Sequence, residues 1–597
     1  MKKITLIVAL LFVAFQSEAQ VLISQNFDTA LTWTPSSTTA WSRRTVGTAP
    51  SCSPSAGAGM AKFASYDLAS GTQARLSSPL IAFAGGSYRV KFNMYKDSGY
   101  PTDSDNLKFY YNTTATVGGT LLGTINRSST QAPVVTTDGW YTYYLDIPGT
   151  PTANAYIVIN GTSFYGNNIY LDEVSVQQIQ PNDAQMDALN LTSIIPNTAI
   201  GNNSVTGTIR NLGLTTINSI DINWQVDSGA IYTQSLSGLS IAANQTYNYT
   251  HPNQWNATPG LYSFKVWVSN INGGSVDGDA GNDQIIRSIS VASNATTRFP
   301  LYEKFSSSTC APCATFNGTY FNGFRAAHEN DMALISYQVN WPGSGDPYYT
   351  TEVGSRVSYY GVSGAPTLFV DAKDGTNFNT ALLNSDLATA QAKPAYFTLS
   401  ATKRLVGNVM TVDVSVLPYL SGSYKVQVAV VEKVTVGNVA SNGEVDFHNV
   451  FMKMMPNASG TTMNFTHDVP ASIIGLQTTL TGLFIEELTD LEVVVFIQST
   501  TNRSVMQSAY ATEQLANPEF GSASKIKVYP NPSTGIIKFA TETPLDVVIT
   551  DITGKVVQSM KQVTNESQVN LSSLQKGIYF AKLVGEGIDQ TQKIILE

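Results

Sequence analysis

Cys310-Ala311-Pro312-Cys313 is the stretch whose reading decides the centre of this chain. Two sulfurs three residues apart can close a small ring across a helix start. Farther on, Gly364-Ala365-Pro366-Thr367 supplies a proline that, held cis, would put open backbone beside them. The segments around these motifs predict alternating strands and helices. Phe299 to Phe305 reads as a strand, Ala314 to His328 as a helix starting at the pair, and Met332 to Tyr337 as a second strand. Thr350 to Tyr360 reads as a helix, Pro366 to Asp371 as a third strand, and Ala381 to Ala392 as another helix.

Outward from this centre the chain is β in character. Its 597 residues suggest about four domains at roughly 150 residues each. Hydrophobic residues make up 43%, ample for packed cores, while charged residues are only 13%. Ser, Thr, Asn, Gly and Tyr fill the polar share, which suits sandwiches with exposed loops. A net charge of -9 without a basic block gives no reason to expect nucleic acid. Three cysteines are too few for a disulfide scaffold, and Cys52 is left over from the pair. Zinc is disfavoured, because there is no second cysteine pair and His251, His328, His448 and His467 are scattered. No phosphate loop, Gly-x-Ser-x-Gly elbow or His-Glu-x-x-His occurs.

Residues 1–19 read as a signal peptide: Lys2-Lys3, an apolar run from Ile4 to Phe15, then Ser17-Glu18-Ala19 before Gln20. No other apolar run approaches ~20 residues, so no transmembrane segment is expected in the mature chain. Residues 20–179 read as a jelly roll of short period-two strands, such as Ser87 to Met94 and Leu107 to Tyr111. After the linker Gln180-Pro181-Asn182-Asp183, residues 182–293 read as an Ig-like sandwich, with Ile220 to Asp227 alternating apolar and polar. The alternating unit occupies 297–394, a further β-sandwich 395–515, and a small Greek-key sandwich behind a Pro-rich hinge 523–597. The expected class is therefore multidomain and mostly β, with one α/β unit.

Four resemblances refine this. The order strand, cysteine pair, helix, strand, helix, proline, strand resembles thioredoxins. Leu301 to about Ser508 resembles the family of the twenty-eight-kilodalton bacterial outer membrane protein. The matching residues are Glu303-x-Phe305, Asp346-Pro347-Tyr348, Tyr359-Tyr360-Gly361-Val362 leading to Ala365-Pro366-Thr367, and His448-Asn449-Val450-Phe451. Gln25-Asn26-Phe27-Asp28 and Ile169-Tyr170-Leu171-Asp172-Glu173-Val174 resemble the opening and closing strands of adhesin-type, MAM-like jelly rolls. That resemblance implies first and last strands side by side, and a calcium held by Asp28 and Asp172. Finally, Val528-Tyr529-Pro530-Asn531-Pro532-Ser533-Thr534-Gly535, Val547 to Val557 and Lys576 to Leu583 resemble the type A C-terminal sorting domain of the type IX secretion system. It implies recognition by that machinery, export from a Gram-negative bacterium, and release from or attachment to its outer surface.

In the thioredoxin resemblance Cys310 is the nucleophile and the more exposed sulfur, Cys313 resolves the mixed disulfide, and Pro366 borders a protein substrate. Thr309 departs from it, since thioredoxins carry Trp there. Glu303, seven residues before Cys310, lies one position off the buried proton-relay acid. Two functions stay open. One is a surface thiol–disulfide oxidoreductase. The other is a surface adhesin or scaffold whose thioredoxin-like unit is redox-inert and whose jelly roll binds glycan or protein. Neither requires a cofactor.

Overall fold

The computed structural model describes residues 20–375, 379–514, 526–541, 543–565, 567–585 and 588–597. The expected signal peptide, 1–19, lies outside the described residues, as does 515–525, where two expected boundaries fall. Strand outweighs helix, 49% to 9%, so the protein is multidomain and mostly β. Two compact units form, Met1–Thr512 and Glu513–Glu597.

The first unit opens with two facing sheets. In one, Ile169–Gln178 lies between Met60–Phe63 and Tyr88–Lys96 and also pairs antiparallel with Val21–Gln25, joining the first strand to the last. In the other, Tyr156–Thr162 lies between Gln73–Ser77 and Asn106–Asn112. Strand alternation builds the core: Tyr88, Val90, Phe92 and Met94 are buried, and Lys91, Asn93 and Tyr95 less so. Phe92 stacks on Phe109 of the facing sheet at 4.1 Å between ring centroids. Each such ring removed from water stabilises by about 1.5–3 kcal/mol. A second sandwich follows, its five-stranded sheet centred on Gly260–Ser269 and its three-stranded sheet on Thr206–Asn211. Trp224 anchors it, stacked on Tyr232 at 4.2 Å and on Phe264 at 5.5 Å.

The cysteine pair belongs to a nine-stranded sheet. Leu301–Ser306 runs parallel to Ala333–Gln338 and antiparallel to Thr367–Val370. Ala333–Gln338 then pairs in parallel with Phe447–Met455 through Ser336 and Val450. From there the sheet continues through Gly422–Thr435, Leu491–Ser499 and Val505–Tyr510. Strands from either side of residue 395 thus share one hydrogen-bonded sheet. All six residues of Leu301–Ser306 are buried, because helices cover both faces. Leu301 and Phe305 face one core with Ile335 and Phe451, and Tyr302 faces the other with Phe316 and Leu383.

The helix read from Ala314 to His328 is broken differently. An α-helix spans Ala311–Thr315, a π-helical turn Phe316–Phe321, and α-helix again Asn322–Ala327. The wider turn lets Phe316, Phe321 and Phe324 share one core. Thr351–Tyr360 is capped as its sequence suggests, with Thr350 accepting from Val353 N and Gly361 left-handed at φ 71°. A Cβ on Gly361 would fall 2.6 Å from Ser51 Oγ of the first sandwich. Ser51 Oγ donates to Tyr360 O at 2.7 Å, which ties that sandwich to the end of this helix.

The second unit has a three-stranded sheet, Lys527–Tyr529, Ile536–Ala540 and Gln568–Asn570, and a four-stranded sheet centred on Leu545–Asp551 and Gly577–Gly585. Ile537, Phe539, Val547, Ile549, Ala581 and Leu583 form its core.

Glu303 and Arg356 are fully buried in the first unit and meet at 2.6 Å. Removing one partner strands the other charge. Arg356→Ala is expected to cost about 3–5 kcal/mol, and Glu303→Gln with Arg356→Met much less. Urea midpoints check this; a loss under about 1 kcal/mol for Arg356→Ala would mean the pair is relaxed by water.

Candidate functional site

Cys310 and Cys313 form a disulfide, with Cys310 as the N-cap of Ala311–Thr315. Cys310 Sγ accepts from Cys313 N at 3.2 Å and lies 3.4 Å from Ala365 O. The Ala365–Pro366 peptide is cis, and Pro366 is half-buried. The structure therefore brings Cys310, Cys313 and Pro366 together.

Both sulfurs are buried: Cys310 is 1% accessible and Cys313 0%, although Ala311 and Pro312 between them are exposed. Several contacts close the turn. Asn442 Nδ2 donates to Ser307 O at 3.1 Å and Cys310 O at 3.4 Å, and its backbone N donates to Ser308 O. Ser308 N donates to Asp346 Oδ2, and Thr309 Oγ1 donates to Pro342 O at 2.7 Å. Thr309 thus stitches loops together where an aromatic side chain would shelter a partner.

Glu303, one position off the thioredoxin acid, is engaged elsewhere. Its carboxylate accepts from Arg356 Nη2, Tyr337 OH at 3.0 Å and Tyr360 OH, and is fully committed there. Its neighbour Lys304 shares the face of the redox helix instead. Lys304 Nζ donates to Asn317 Oδ1 at 2.9 Å and sits 4.9 Å over the Phe321 ring. Asn317 Nδ2 donates to Glu444 Oε1 at 2.7 Å, and Glu444 Oε2 accepts from Asn442 Nδ2. A chain of polar groups so joins a buried amine to the disulfide turn. Lys304 and Asn442 were missed by sequence reasoning, and only the odd lysine inside an apolar strand hinted at either.

The two acids expected to hold calcium both reach the 55–58 loop and are engaged there. Asp172 Oδ2 accepts from Ser55 N at 2.9 Å, Ser55 Oγ at 3.0 Å and Ala56 N at 3.3 Å, and Oδ1 accepts from Glu173 N. Burial raises its carboxyl above the ordinary value, against the pull of those bonds. Asp28 accepts from Asn26 Nδ2 and Ala58 N. Arg43 donates to the carbonyls of Phe27, Asp28 and Ala58, so a guanidinium holds the oxygens that a cation would need. Among the described residues no group of three or more His, Cys, Asp or Glu is arranged for a metal. As placed, this donor set does not fit the roughly 6–8 oxygens calcium takes. Cys52 is buried with its sulfur 3.9 Å from Met60 Sδ, and burial pushes its thiol up.

A second site emerged only from the structure. Three loops at one end of the first sandwich display Tyr66, Tyr100, Phe164 and Tyr165, all exposed. Tyr66 and Tyr100 meet edge to face at 6.3 Å. Beneath them Arg127 is fully buried. It donates to Asp97 Oδ2 at 2.7 Å, Gly99 O at 2.9 Å and Tyr100 O at 3.0 Å. Asp105 Oδ1 accepts from Phe164 N at 2.6 Å and from Ser65 Oγ, while Asp97 Oδ1 accepts from Asn167 Nδ2. Gly166 is packed so closely that a Cβ would fall 1.9 Å from Asp105 Oδ2. Tyr100 and Tyr165 are held at φ 47° and 73°, a backbone region costing bulky residues about 1–3 kcal/mol each. The network holds the loops in that strained form. The signal available in sequence was aromatic residues set among Gly, Ser and Asn, in Ser98-Gly99-Tyr100-Pro101 and Ser163-Phe164-Tyr165-Gly166. A cavity of about 990 Å³ lies elsewhere, between Val21–Gln25 and the 277–281 turn, and touches neither site.

The chain is thus a multidomain β protein with one sealed disulfide and one exposed aromatic platform. Residues 527–597 match the family described as secretion system C-terminal sorting domain. The chain is an exported protein, secreted or attached to the cell surface, and its sorting domain implies the type IX machinery. No helix among the described residues is long and apolar enough to cross a membrane. No curated protein matches the chain. Among solved structures it is similar to the K3 cleaved adhesin domain of Lys-gingipain from Porphyromonas gingivalis. That likeness has 15% identity, 27% of this chain, 100% of that one and a TM-score of 0.19. The K1 domain of the same protein gives 17%, 26%, 97% and 0.21. The structure titled TmCBM61 in complex with β-1,4-galactotriose gives 16%, 26%, 94% and 0.19. At these values the likenesses carry nothing about ligands.

Burial lowers Lys304 from 10.5 to about 8, with Glu444 pulling it back up and Arg325 pushing it further down. Between those two values the folded state binds fewer protons than the unfolded, so this group makes stability rise with pH from about 8 to 10.5. Lys304→Met is expected to remove that rise. Urea midpoints of both proteins at pH 7.5 and 9.5 check it, and parallel changes would rule out a strained amine.

Proposed function

We propose that this protein is a surface-displayed binding protein, an adhesin or scaffold, whose first sandwich contacts the ligand. The observation that carries this reading is the aromatic platform. Four exposed rings stand on loops pinned from below, and two of those loops hold tyrosines in strained backbone. Strain of this kind clusters at ligand clamps, and rigid aromatic side chains give contact area at low entropic cost. The export signal supports it, since the platform would face the medium. Mucin offers glycan and protein together and serves as the test surface. Tyr66→Ala with Tyr165→Ala is expected to lower retention of the full-length mature protein on immobilised mucin at least tenfold, and Cys310→Ser to leave it unchanged. Equal retention by the tyrosine variant would sink the reading.

A second reading is favoured by one observation, Cys310 Sγ lying 3.4 Å from the carbonyl before cis-Pro366. It supports a thioredoxin-like unit that exchanges its disulfide with a protein dithiol. A substrate thiolate would attack Cys310 Sγ and break the Cys310–Cys313 bond, with Cys313 leaving as thiolate; the second substrate thiolate would then attack the mixed disulfide and release Cys310, leaving the substrate oxidised and the pair reduced. Against it stand the closure of both sulfurs and the absence of an aromatic residue at Thr309. The oxidoreductase reading expects Cys313→Ala to accumulate mixed disulfides through Cys310, seen by non-reducing electrophoresis of the exported fraction. An adhesin with an inert staple gives none.

A further inference from the structure

We propose that the Tyr66–Tyr100–Tyr165 platform takes a neutral glycan, stacking pyranose rings on the tyrosine faces. The assignment rests on the binding reading above and names the ligand class for that same site. Tyr66, Tyr100 and Tyr165 expose 49%, 46% and 59% of their surface, and each joins an apolar face to a hydroxyl. A sugar ring has the complementary character: C–H groups on its faces and hydroxyls around its edge. Tyrosine suits a site where one end is apolar and the other wet.

Charge decides between neutral and acidic ligands. The cations that the platform's supports contain, Lys62, Lys96 and Arg127, are all buried. Arg127 is committed to Asp97 and to loop carbonyls, Lys96 to the carbonyls of Gln131 and Pro133, and Lys62 to Asp67. Asp67 is exposed and Asp103 half-buried, so the charge that reaches solvent here is negative. A sialylated or uronate-bearing chain would meet repulsion without a guanidinium to answer it. Protein partners are met most often by aromatic residues together with arginine, and the arginine of this end lies underneath.

The backbone supports the same conclusion. Tyr100 O is held by Arg127, Phe164 N by Asp105 and Tyr66 N by Asn168, so all three loops are fixed before any ligand arrives. Weak stacking contacts with a sugar yield useful affinity only when the rings are already in place.

The test places the full-length mature protein on a printed panel of neutral and acidic oligosaccharides, with Tyr66→Ala/Tyr165→Ala beside it. Retention on neutral hexose chains is expected, with at least a tenfold loss in the variant at unchanged thermal unfolding. Retention on acidic chains alone, retention on none, or equal retention by the variant overturns the assignment. Should the variant unfold, competition of wild-type retention by soluble neutral oligosaccharide decides instead, and absence of competition overturns it. Periodate, which cleaves sugar diols, separates this from the reading beneath it. If oxidised mucin still holds the wild type while the variant is lost from mucin, the platform binds protein. The glycan assignment then falls and the binding reading stands.

Discussion

The buried pair Glu303–Arg356 fixes the geometry of the central sheet more than any other contact. Two charges are taken out of water, and their cost is met only because every donor around the carboxylate is aimed at it. Tyr337 comes from the neighbouring strand, and Arg356 and Tyr360 from one helix, while Gln498, from a strand far along the chain, donates to Tyr360 OH. That convergence sets where the helix ends at Gly361. The chain then has few residues in which to reach Ala365 and Pro366, and so Cys310 receives its neighbour.

The two candidate sites solve opposite physical problems. At the disulfide, polar groups close over the sulfurs: Asn442 from above, Ser308 held by Asp346, Thr309 turned onto Pro342. At the platform, polar groups work from below and leave the rings outside. Burying Arg127 costs desolvation, which Asp97, Asp105 and two loop carbonyls offset. A fold gains little by straining tyrosine backbone on its surface unless the rings meet something. This contrast is why binding is the leading reading and exchange the second.

Much of the architecture was legible because it is written locally. Period-two alternation marked Tyr88–Lys96, the run from Thr350 to Tyr360 read as a helix, and the Cys-x-x-Cys and Pro366 announced a meeting that the strand order delivers. The blocks from Val528 to Leu583 were equally plain, being a short run of turns and strands in fixed order. What escaped depends on distance along the chain. Cys310 looked exposed because its cover, Asn442, lies in a loop of a later strand pair. Glu303 drew attention as an acid, while Lys304 beside it, on the opposite face of the same strand, carried the contact to the redox helix. Asp28 and Asp172 each accept from backbone of the 55–58 loop. Their engagement depends on Arg43 and the Ser55–Ala56 backbone, which no spacing rule joins to them. Tyr100 and Tyr165 read as loop aromatics, and only the buried Arg127 shows that they are held.

The parallel pairing of Ala333–Gln338 with Phe447–Met455 has a bearing on inheritance. A segment joined to its neighbours by a linker can be copied into another gene and still fold. The stretch that holds the cysteines has no such freedom, because cutting it out at residue 395 would leave Ala333–Gln338 as a bare apolar edge, ready to pair with any strand it met. Its strands and those of the later sandwich therefore form one inseparable body, and excising either would bare an edge of the other.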